Sequence, residues 1–332
     1  MIHPAFDGAG FQAAAIICVQ NRADMSLPHP HFAQYMEFLK NCLRTSLRAS
    51  LGAITALGLL AGCAVSQQSL PGALTVITMT YNIRCGACEG KSDVNHWDKR
   101  KHLVAEVIRK SDADLIGLQE AEAFQVKDLV DALPAYDWYG VGREDGKERG
   151  EMAAVLVRRS AFEIVAPRTL WLSDTPQVVS KGWDAMLNRT VTLVKLKSKI
   201  TGGVVHLWNT HFDHMGDRAR QESARLIVRT LQSQGAGDPV ILTGDLNLRD
   251  THPAYKLLTA ELQDAETTSQ TPPSGGNITF NGFGRDLQSG NKIDFIFVSA
   301  GQTVRSHRVI TDLYLGLYPS DHFPVVATIA IH

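Results

Sequence analysis

The sequence predicts an α+β layered sandwich in one large domain. Candidate strands and helices are mixed along the chain without the strict β-α-β alternation of a parallel sheet. Of the 332 residues, 44% are hydrophobic and 20% are charged, which is typical of a globular protein with a sizeable core. Several apolar strands end on a polar residue, so we expect polar side chains to gather at one edge of the packed sheets.

The candidate strands are short, apolar and rich in β-branched residues. They cover 74–82, 114–120, 152–159, 189–199, 204–212, 240–243, 293–298 and 325–331. Apolar residues at helical spacing predict helices over 98–111, 124–133 and 218–234. The Ser-, Thr-, Pro- and Gly-rich stretch 267–277 predicts a loop.

The N-terminal segment differs from the rest of the chain. Residues 1–35 lack periodicity and precede Met36, a candidate true start, so we interpret them as an upstream extension. Residues 36–62 combine basic residues, an apolar run at 51–60 and small residues, which is the pattern of a signal peptide. The apolar run is too short to span a bilayer.

The tetrapeptide Leu-Ala-Gly-Cys that ends at Cys63 resembles a bacterial lipobox, in which the cysteine carries the lipid. The alternative is a short hydrophobic helix that ends in an ordinary cysteine. The lipobox predicts a linker over 63–73, a folded domain over 74–332 and a lipid-anchored protein of the cell envelope. Ala64 favours the outer membrane, facing the periplasm, if the cell has two membranes.

The charge of the chain is close to neutral. Removal of residues 1–62 leaves 29 basic and 31 acidic residues, a net charge of −2. Proteins that grip long duplex DNA usually carry a strong basic excess, because neutralisation of phosphates dominates their affinity. The composition therefore disfavours long duplex DNA as the partner.

Two of the five cysteines remain as a free pair in the mature chain. Cys85 and Cys88 lie in the segment RCGACEG, after the candidate lipidation site. A four-ligand zinc site would need a second pair, which the sequence lacks. In an exported protein this pair favours a small disulfide over free thiols.

Asp245 and Asn247 are polar residues at the end of a strand that is predicted to be buried. The stretch LTGDLN follows an apolar run, and residues two apart share one face of a strand. A carboxylate at the edge of a core needs a cation, a donor or solvent. Other strands end or begin on Asn82, Glu120, Asp213 and Asp294, and several acids at one edge would repel each other without a cation.

Six short motifs occur in one order, each beside a predicted strand. They are TYNIR, GLQE, NTHFDH, GDLN, IDFIFVS and SDHFPVV. Together they make residues 74–332 resemble the endonuclease/exonuclease/phosphatase superfamily of DNase I-like, metal-dependent phosphoesterases. The resemblance implies a four-layered α/β/β/α sandwich, in which two mainly antiparallel sheets are flanked by helices and the site lies at one end.

The resemblance implies a Mg²⁺ site, with Mn²⁺ as an alternative ion. Glu120 is the first expected ligand, Asn82 lies beside it and Asp321 completes the set. Mg²⁺ prefers oxygen ligands and keeps several waters, so few carboxylates suffice. The alternative for Glu120 is a cap of the following helix, and for Asn82 it is a turn residue.

The resemblance also assigns catalytic roles. Asp245 would orient or deprotonate the attacking water, and Asn247 would hold that water or a phosphate oxygen. His322 would donate to a phosphoryl oxygen, with Asp294 holding its imidazole in the required tautomer. His211 would be a second phosphate donor. An isolated Asp-His pair is more often structural, but here the aromatic and the proline of DHFPVV fit the family motif.

Weaker signals suggest substrate contacts. Arg143, in a Gly-rich loop, would bind a second phosphate or a sugar, or be a solvated surface residue. Asp213 and His214 would face the pocket or cap the next helix. Phe280 would stack on a base or a sugar, or simply pack. Asn209 is expected to support the position of His211.

The expected function is divalent-metal-dependent hydrolysis of phosphoester bonds by a phosphodiesterase or nuclease-type enzyme. Its substrate would be nucleic acid, a phospholipid head group, or a sugar or inositol phosphate, and no protein partner is implied. The alternative is an inactive envelope lipoprotein that uses the same fold as a binding module. Such a module would be expected to lose one of Asp245, Asp294 or His322, and all three are present.

Overall fold

The computed structural model describes residues 73–234, 237–287 and 291–332. In these ranges the helices are α1 (Trp97–Ser111), α2 (Ala123–Ala132), α3 (Asp217–Ser233) and α4 (Pro253–Thr259). The strands are β1 (Leu74–Asn82), β2 (Leu115–Gln119), β3 (Tyr136–Tyr139), β4 (Val155–Arg158), β5 (Phe162–Trp171), β6 (Thr190–Ser198), β7 (Val204–His211), β8 (Val240–Asp245), β9 (Leu262–Asp264), β10 (Asp294–Ser299), β11 (Thr303–Val309) and β12 (Val325–Ile331).

The predicted N-terminal features fall outside the described residues. The extension 1–35, the signal peptide 36–62, the lipidated Cys63 and nearly all of the linker 63–73 therefore stay predictions. Within the described ranges, no helix combines the length and the hydropathy needed to cross a membrane.

The strands form two six-stranded sheets, which confirms the predicted sandwich. The first sheet has the order β11-β12-β1-β2-β4-β3, and the second has the order β5-β6-β7-β8-β10-β9. Each sheet is antiparallel apart from one parallel pair, β1 with β2 and β7 with β8. The arrangement is the four-layered α+β fold expected from the sequence.

Three apolar clusters fill the layers. Val194, Ile241 and Ile329 belong to the cluster between the sheets. Helices α1 and α2 cover the outer face of the first sheet, where Ile108 and Val126 are fully buried. Helices α3 and α4 cover the second sheet in the same way. Burial of apolar surface in these three layers is the main force that holds the sheets in place.

The sequence patterns predict the inner strands of the two sheets but not the edge strands. All eight predicted strands are present, whereas β3, β5, β9 and β11 were not predicted, nor was the short helix α4. The four missed strands are the outermost strands of the two sheets. Edge strands are half-exposed and carry charges and proline, as in FEIVAPRTLW of β5, so they lack the apolar signal of a buried strand.

The strand directions bring the polar strand ends together. In the first sheet Asn82 pairs with Gln119 at the ends of two parallel strands. In the second sheet His211 pairs with Asp245 in the same way, and Asp294 starts the antiparallel β10 opposite Asp245. Parallel strands end at one edge, which explains why the polar residues accumulate there.

A buried amide joins the two sheets beneath this edge. The Nδ2 group of Asn209 on β7 donates to the carbonyl oxygens of Leu118 at 2.7 Å and Ala154 at 2.8 Å in the first sheet. Its Oδ1 accepts from Gln119 Nε2 at 2.6 Å and from Thr243 Oγ1 at 3.0 Å. All four hydrogen-bonding positions of the amide are therefore used. Asn209 ties the sheets together rather than contacting His211, the residue it was expected to support.

Gly117 permits this close approach. A Cβ atom at residue 117 would overlap the Thr243 hydroxyl and the Asn209 amide oxygen. Both groups are buried and hydrogen-bonded, so neither can move without the loss of a bond.

We expect Gly117→Ala to destabilise the domain by about 2–4 kcal/mol, because it overpacks the layer between the sheets. Gly90→Ala is the matched control, since no atom lies within 4 Å of its added Cβ, and its effect should stay within about 0.5 kcal/mol. Urea denaturation of the two variants measures the difference. Equal stability of the two would contradict the role given to Gly117.

Candidate active site

The polar residues predicted for catalysis and metal binding meet at one end of the two sheets. They are Asn82, Glu120, His211, Asp245, Asn247, Asp294, Asp321 and His322. The Nδ2 group of Asn82, on the first sheet, donates to Glu120 Oε1 at 3.1 Å and to Asp245 Oδ2 at 2.9 Å. Since Asp245 belongs to the second sheet, this amide links the two halves of the site.

Asp245 and Asn247 converge, but not for the reason predicted. Strand β8 ends at Asp245, and Asn247 has a left-handed backbone with φ 49°. The turn, and not strand alternation, directs both residues toward His211. Asp245 Oδ2 lies 3.5 Å from His211 Nε2, and Asn247 Nδ2 lies 3.0 Å from the same nitrogen.

His211 is held as a neutral imidazole. Burial lowers its pKa well below the ordinary value, and the nearby Arg189 and Arg143 charges lower it further. A neutral ring with Asn247 as a donor uses Nε2 as an acceptor. His211 therefore positions Asn247 in the structure, while its expected role as a phosphate donor stays a prediction.

His322 is the cationic group of the site. Its Nδ1 lies 2.9 Å from Asp294 Oδ2, and its Nε2 lies 3.7 Å from Asp245 Oδ2. Burial disfavours the imidazolium, yet Asp294 and Asp245 outweigh it and raise the pKa of His322 to about 10. The protonated ring can donate from Nε2 toward a bound oxygen.

Two neighbours fix the Asp294–His322 pair. Thr279 Oγ1 accepts from the backbone N–H of Asp294 at 3.1 Å. The Phe280 ring packs edge-on against His322, with ring centroids 5.2 Å apart. Phe280 thus has the packing role that was one of its two alternatives, and it limits the rotation of the imidazole.

The site holds more buried negative charge than its own cations neutralise. Its carboxylates are Glu120, Asp245, Asp294 and Asp321. The closest cationic partners are His322 and Arg84, whose guanidinium lies 3.7 Å from both Glu120 and Asp321. Burial, followed by the Asp294 charge, raises the pKa of Asp245 to about 7, and burial raises the pKa of Asp321. Uncompensated carboxylate oxygens of this kind fit Mg²⁺ or Mn²⁺.

Glu120 is aimed into the site by a strained backbone. Its φ of 59° is left-handed, a conformation that costs a non-glycine residue roughly 1–2 kcal/mol. The alternative role as a helix cap is wrong, because Glu122 caps α2 together with Gln125. Glu120 Oε2 instead accepts from the Cys85 backbone N–H at 3.1 Å.

The loop after β1 closes over Glu120. Cys85 and Cys88 form a disulfide, as the sequence favoured, with their Cα atoms 5.4 Å apart. The buried Arg100 of α1 donates to the carbonyl oxygens of Arg84 at 2.8 Å and Pro319 at 3.2 Å. Arg100 thus connects two segments: the loop that contains Arg84 and the segment that precedes Asp321.

A second polar cluster borders the site at Arg143. The arginine is 8% exposed, so the alternative of a solvated surface residue is wrong. Its Nη1 and Nη2 groups donate to the two carboxylate oxygens of Glu151 at 2.6 and 3.1 Å. The sequence does not indicate this contact, because Arg143 and Glu151 are eight residues apart in the loop between β3 and β4.

Asp213 and His214 join this cluster. Asp213 accepts from four backbone N–H groups, which lower its pKa to about 2 although burial acts in the opposite direction. Two of the donors belong to Met215 and Gly216 before α3, and two belong to Met186 and Leu187. Gly216, and not Asp213, is the N-cap of α3.

Three residues of the region had no sequence prediction of their own. Arg84 lies in the motif TYNIR, in which the sequence predicts a site role only for Asn82. Arg189 precedes β6, and its Nη2 lies 3.2 Å from Nδ1 of the exposed His214. Glu151 pairs with Arg143. A single charged residue beside a strand is ordinary, so only the folded chain reveals that Arg189 is buried and that Arg84 and Glu151 are partly buried in ion pairs.

The chain is similar in sequence and structure to known proteins of one family. A sequence model of the endonuclease/exonuclease/phosphatase family matches residues 79–322. The chain is 36% identical to a structurally solved protein of that family from Bacteroides thetaiotaomicron, with a TM-score of 0.75 and coverage of 78% of this chain and 99% of that chain. A mannosyl-6-phosphatase from the same organism is also 36% identical, with a TM-score of 0.73 and coverage of 77% and 100%.

A more distant relative is the CCR4-NOT transcription complex subunit 6-like-B of Xenopus laevis. It is 26% identical over 235 residues, which are 64% of this chain and 41% of that protein. The chain therefore spans less than half the length of this relative.

We expect Asp294→Asn to lower the pKa of His322 from about 10 toward or below the ordinary value of about 6.5, because the nearest negative charge is lost while burial remains. The measurement is an NMR titration of the imidazole in protein treated with chelator. Asp250→Asn, at an exposed position, is the control and should leave the titration unchanged. A pKa that stays near 10 in Asp294→Asn would show that another group holds the proton.

Proposed function

The chain belongs to the endonuclease/exonuclease/phosphatase family, and we propose that it is a Mg²⁺-dependent hydrolase of small phosphate monoesters. The family and its solved relatives support phosphoester hydrolysis in general. The observation that carries the proposal is the joint placement of Asp245, Asn247 and the Asp294–His322 pair at one end of the sandwich.

Hydrolysis of a phosphate ester needs an attacking water in line with the leaving oxygen, and it needs neutralisation of charge on the phosphoryl oxygens. Asp245 is the candidate base, since burial and Asp294 bring its pKa to about 7, near a neutral working pH. The imidazolium of His322 is the candidate donor to a phosphoryl oxygen. Asn247, held by His211, orients the water or the phosphate.

The carboxylates of Glu120 and Asp321 would hold the divalent ion, with Asn82 beside them. The ion would supply charge neutralisation at the phosphoryl group. In the structure the Oδ1 atom of Asn82 accepts from the Arg84 backbone N–H at 3.0 Å, and its Nδ2 group bridges the carboxylates of Glu120 and Asp245. The amide thus already orders the acids around which the ion would bind.

We favour a phosphate monoester as the substrate because this chain matches the whole length of a mannosyl-6-phosphatase at 36% identity. The net charge of −2 in residues 63–332 also disfavours a polyanionic nucleic acid. A phosphodiester, which the sequence favoured, is the second candidate. A phosphodiester of a lipid head group would fit the expected anchor at Cys63.

We expect purified protein to hydrolyse p-nitrophenyl phosphate or mannose 6-phosphate with Mg²⁺ or Mn²⁺, and to lose this activity on chelation. Bis-p-nitrophenyl phosphate and single-stranded DNA in the same assay test the diester alternative. Release of phosphate from monoesters alone supports the monoester assignment. No turnover of any ester with either ion would instead favour the binding module.

His322→Ala and Asp245→Ala should each lower kcat by at least about a hundredfold, since each removes a positioned proton donor or base. Circular dichroism should show an unchanged fold. Asp250→Ala, an exposed substitution, should retain full activity. Normal kcat in either active-site variant would remove that residue from the mechanism.

A further inference from the structure

Arg189 is a buried cation with an unused donor beside the catalytic end of the second sheet. Its side chain is 5% exposed. Nε lies 3.5 Å from Asp213 Oδ2, and Nη2 contacts His214. Among the residues that the structure describes, no acceptor forms a hydrogen bond with Nη1. A buried donor without a partner is costly, so its retention points to a ligand that completes it.

Arg189 lies next to the catalytic residues. It directly precedes β6, and Val191 of that strand pairs with Thr210, the residue before His211. Thr210 Oγ1 donates to the carbonyl oxygen of Thr190 at 3.0 Å. This bond holds the residue after Arg189 against the residue before His211. The Arg189 charge also contributes to the lowered pKa of His211, in agreement with this closeness.

The charges around Arg189 are already balanced. Arg143 forms its two-bond contact with Glu151, and Arg189 faces Asp213. Glu144 adds a partly exposed carboxylate 3.4 Å from Arg143 Nε. Two guanidinium groups therefore face three carboxylates, so this cluster of described residues offers no excess positive charge for a second phosphate. Spare N–H donors beside carboxylate acceptors suit hydroxyl groups, which both donate and accept.

The surface above Arg189 suits an amphipathic ligand. The exposed imidazole of His214 contacts the guanidinium, with its Nδ1 atom 3.2 Å from Nη2. Met186 and Met215 are 61% and 66% exposed, and the backbone N–H of each donates to Asp213 Oδ1 at 3.0 Å, which places both residues close to the carboxylate that faces Arg189. Small-ligand sites combine apolar lining with a few placed polar groups, which matches the C–H face and the hydroxyls of a sugar ring.

We propose that Arg189, with the Arg143–Glu151 pair beside it, forms a subsite for the neutral hydroxyl groups of a sugar whose phosphate lies at the catalytic centre. This inference rests on the proposed function and narrows its substrate to a sugar phosphate. Arg189 is a specificity residue in this scheme, because it contacts the leaving alcohol and not the phosphorus.

The test compares mannose 6-phosphate with n-hexyl phosphate on the full chain with Mg²⁺. Both esters release a primary alcohol of six carbons, so the scissile bond is matched, and the sugar adds its ring and its hydroxyl groups. We expect wild-type protein to prefer the sugar ester. Arg189→Met should lower kcat/KM for mannose 6-phosphate by at least about tenfold more than for n-hexyl phosphate, mainly through KM.

Two further variants keep the test decisive. Arg189→Lys keeps the charge beside Asp213 but loses the guanidinium fork, and it should show the same selective loss if Arg189→Met fails to fold. Arg229→Met, at an exposed position of α3, should leave both esters unaffected. Equal losses for the two esters would indicate a structural role and overturn the proposal, as would no change or no wild-type preference.

Two other results separate the remaining explanations. A preference for mannose 1,6-bisphosphate over mannose 6-phosphate that Arg189→Met abolishes and Arg189→Lys retains would overturn the neutral subsite in favour of an anion site. Hydrolysis of neither monoester by wild-type protein, with divalent ion present, would remove the proposed function itself. Turnover of both without selectivity would leave that function intact and remove only the sugar subsite.

Discussion

The buried contact between the two sheets at Asn209 is the constraint on which the site depends. Its amide satisfies backbone carbonyls of one sheet from a strand of the other, and Gly117 leaves the space that this approach requires. Directly above it, Asn82 bridges Glu120 of the first sheet and Asp245 of the second. In the proposed reaction, groups from both sheets act on one phosphate, so the distance between the sheets would set the geometry of that reaction.

Electrostatics explains why these groups lie at the rim of the sandwich and not within it. Four carboxylates could not be buried together without cations, and Arg84 and His322 compensate only part of their charge. In the proposed function, a divalent ion and a substrate would bind at this rim. Beside them, Arg143 and Arg189 are matched by their own carboxylates, so the two sides of the site differ in net charge. One side carries excess negative charge, and the other is nearly neutral.

Three of the seven non-glycine residues with positive φ in the described part of the chain lie at the same rim. Arg84, Glu120 and Asn247 all have left-handed backbones although none is glycine. Glu120 directly follows β2, whereas Arg84 and Asn247 lie two residues beyond the ends of β1 and β8, and each directs a side chain into the site. The surrounding hydrogen bonds, such as that from the Asn247 N–H to Asp245 Oδ1 at 2.9 Å, offset this cost. Such positions are found where geometry matters more than local stability.

The sequence by itself determined the layered fold, the eight inner strands and the polar residues at their ends, because buried strands and strand-terminal acids leave local patterns. Only the tertiary structure decided the four edge strands, whose half-exposed residues carry no such pattern. It also decided the turn at Asn247, the inter-sheet role of Asn209 and the buried pairing of Arg143 with Glu151. These features depend on contacts between residues far apart in the chain or on backbone angles, and neither is encoded in the spacing of residue types.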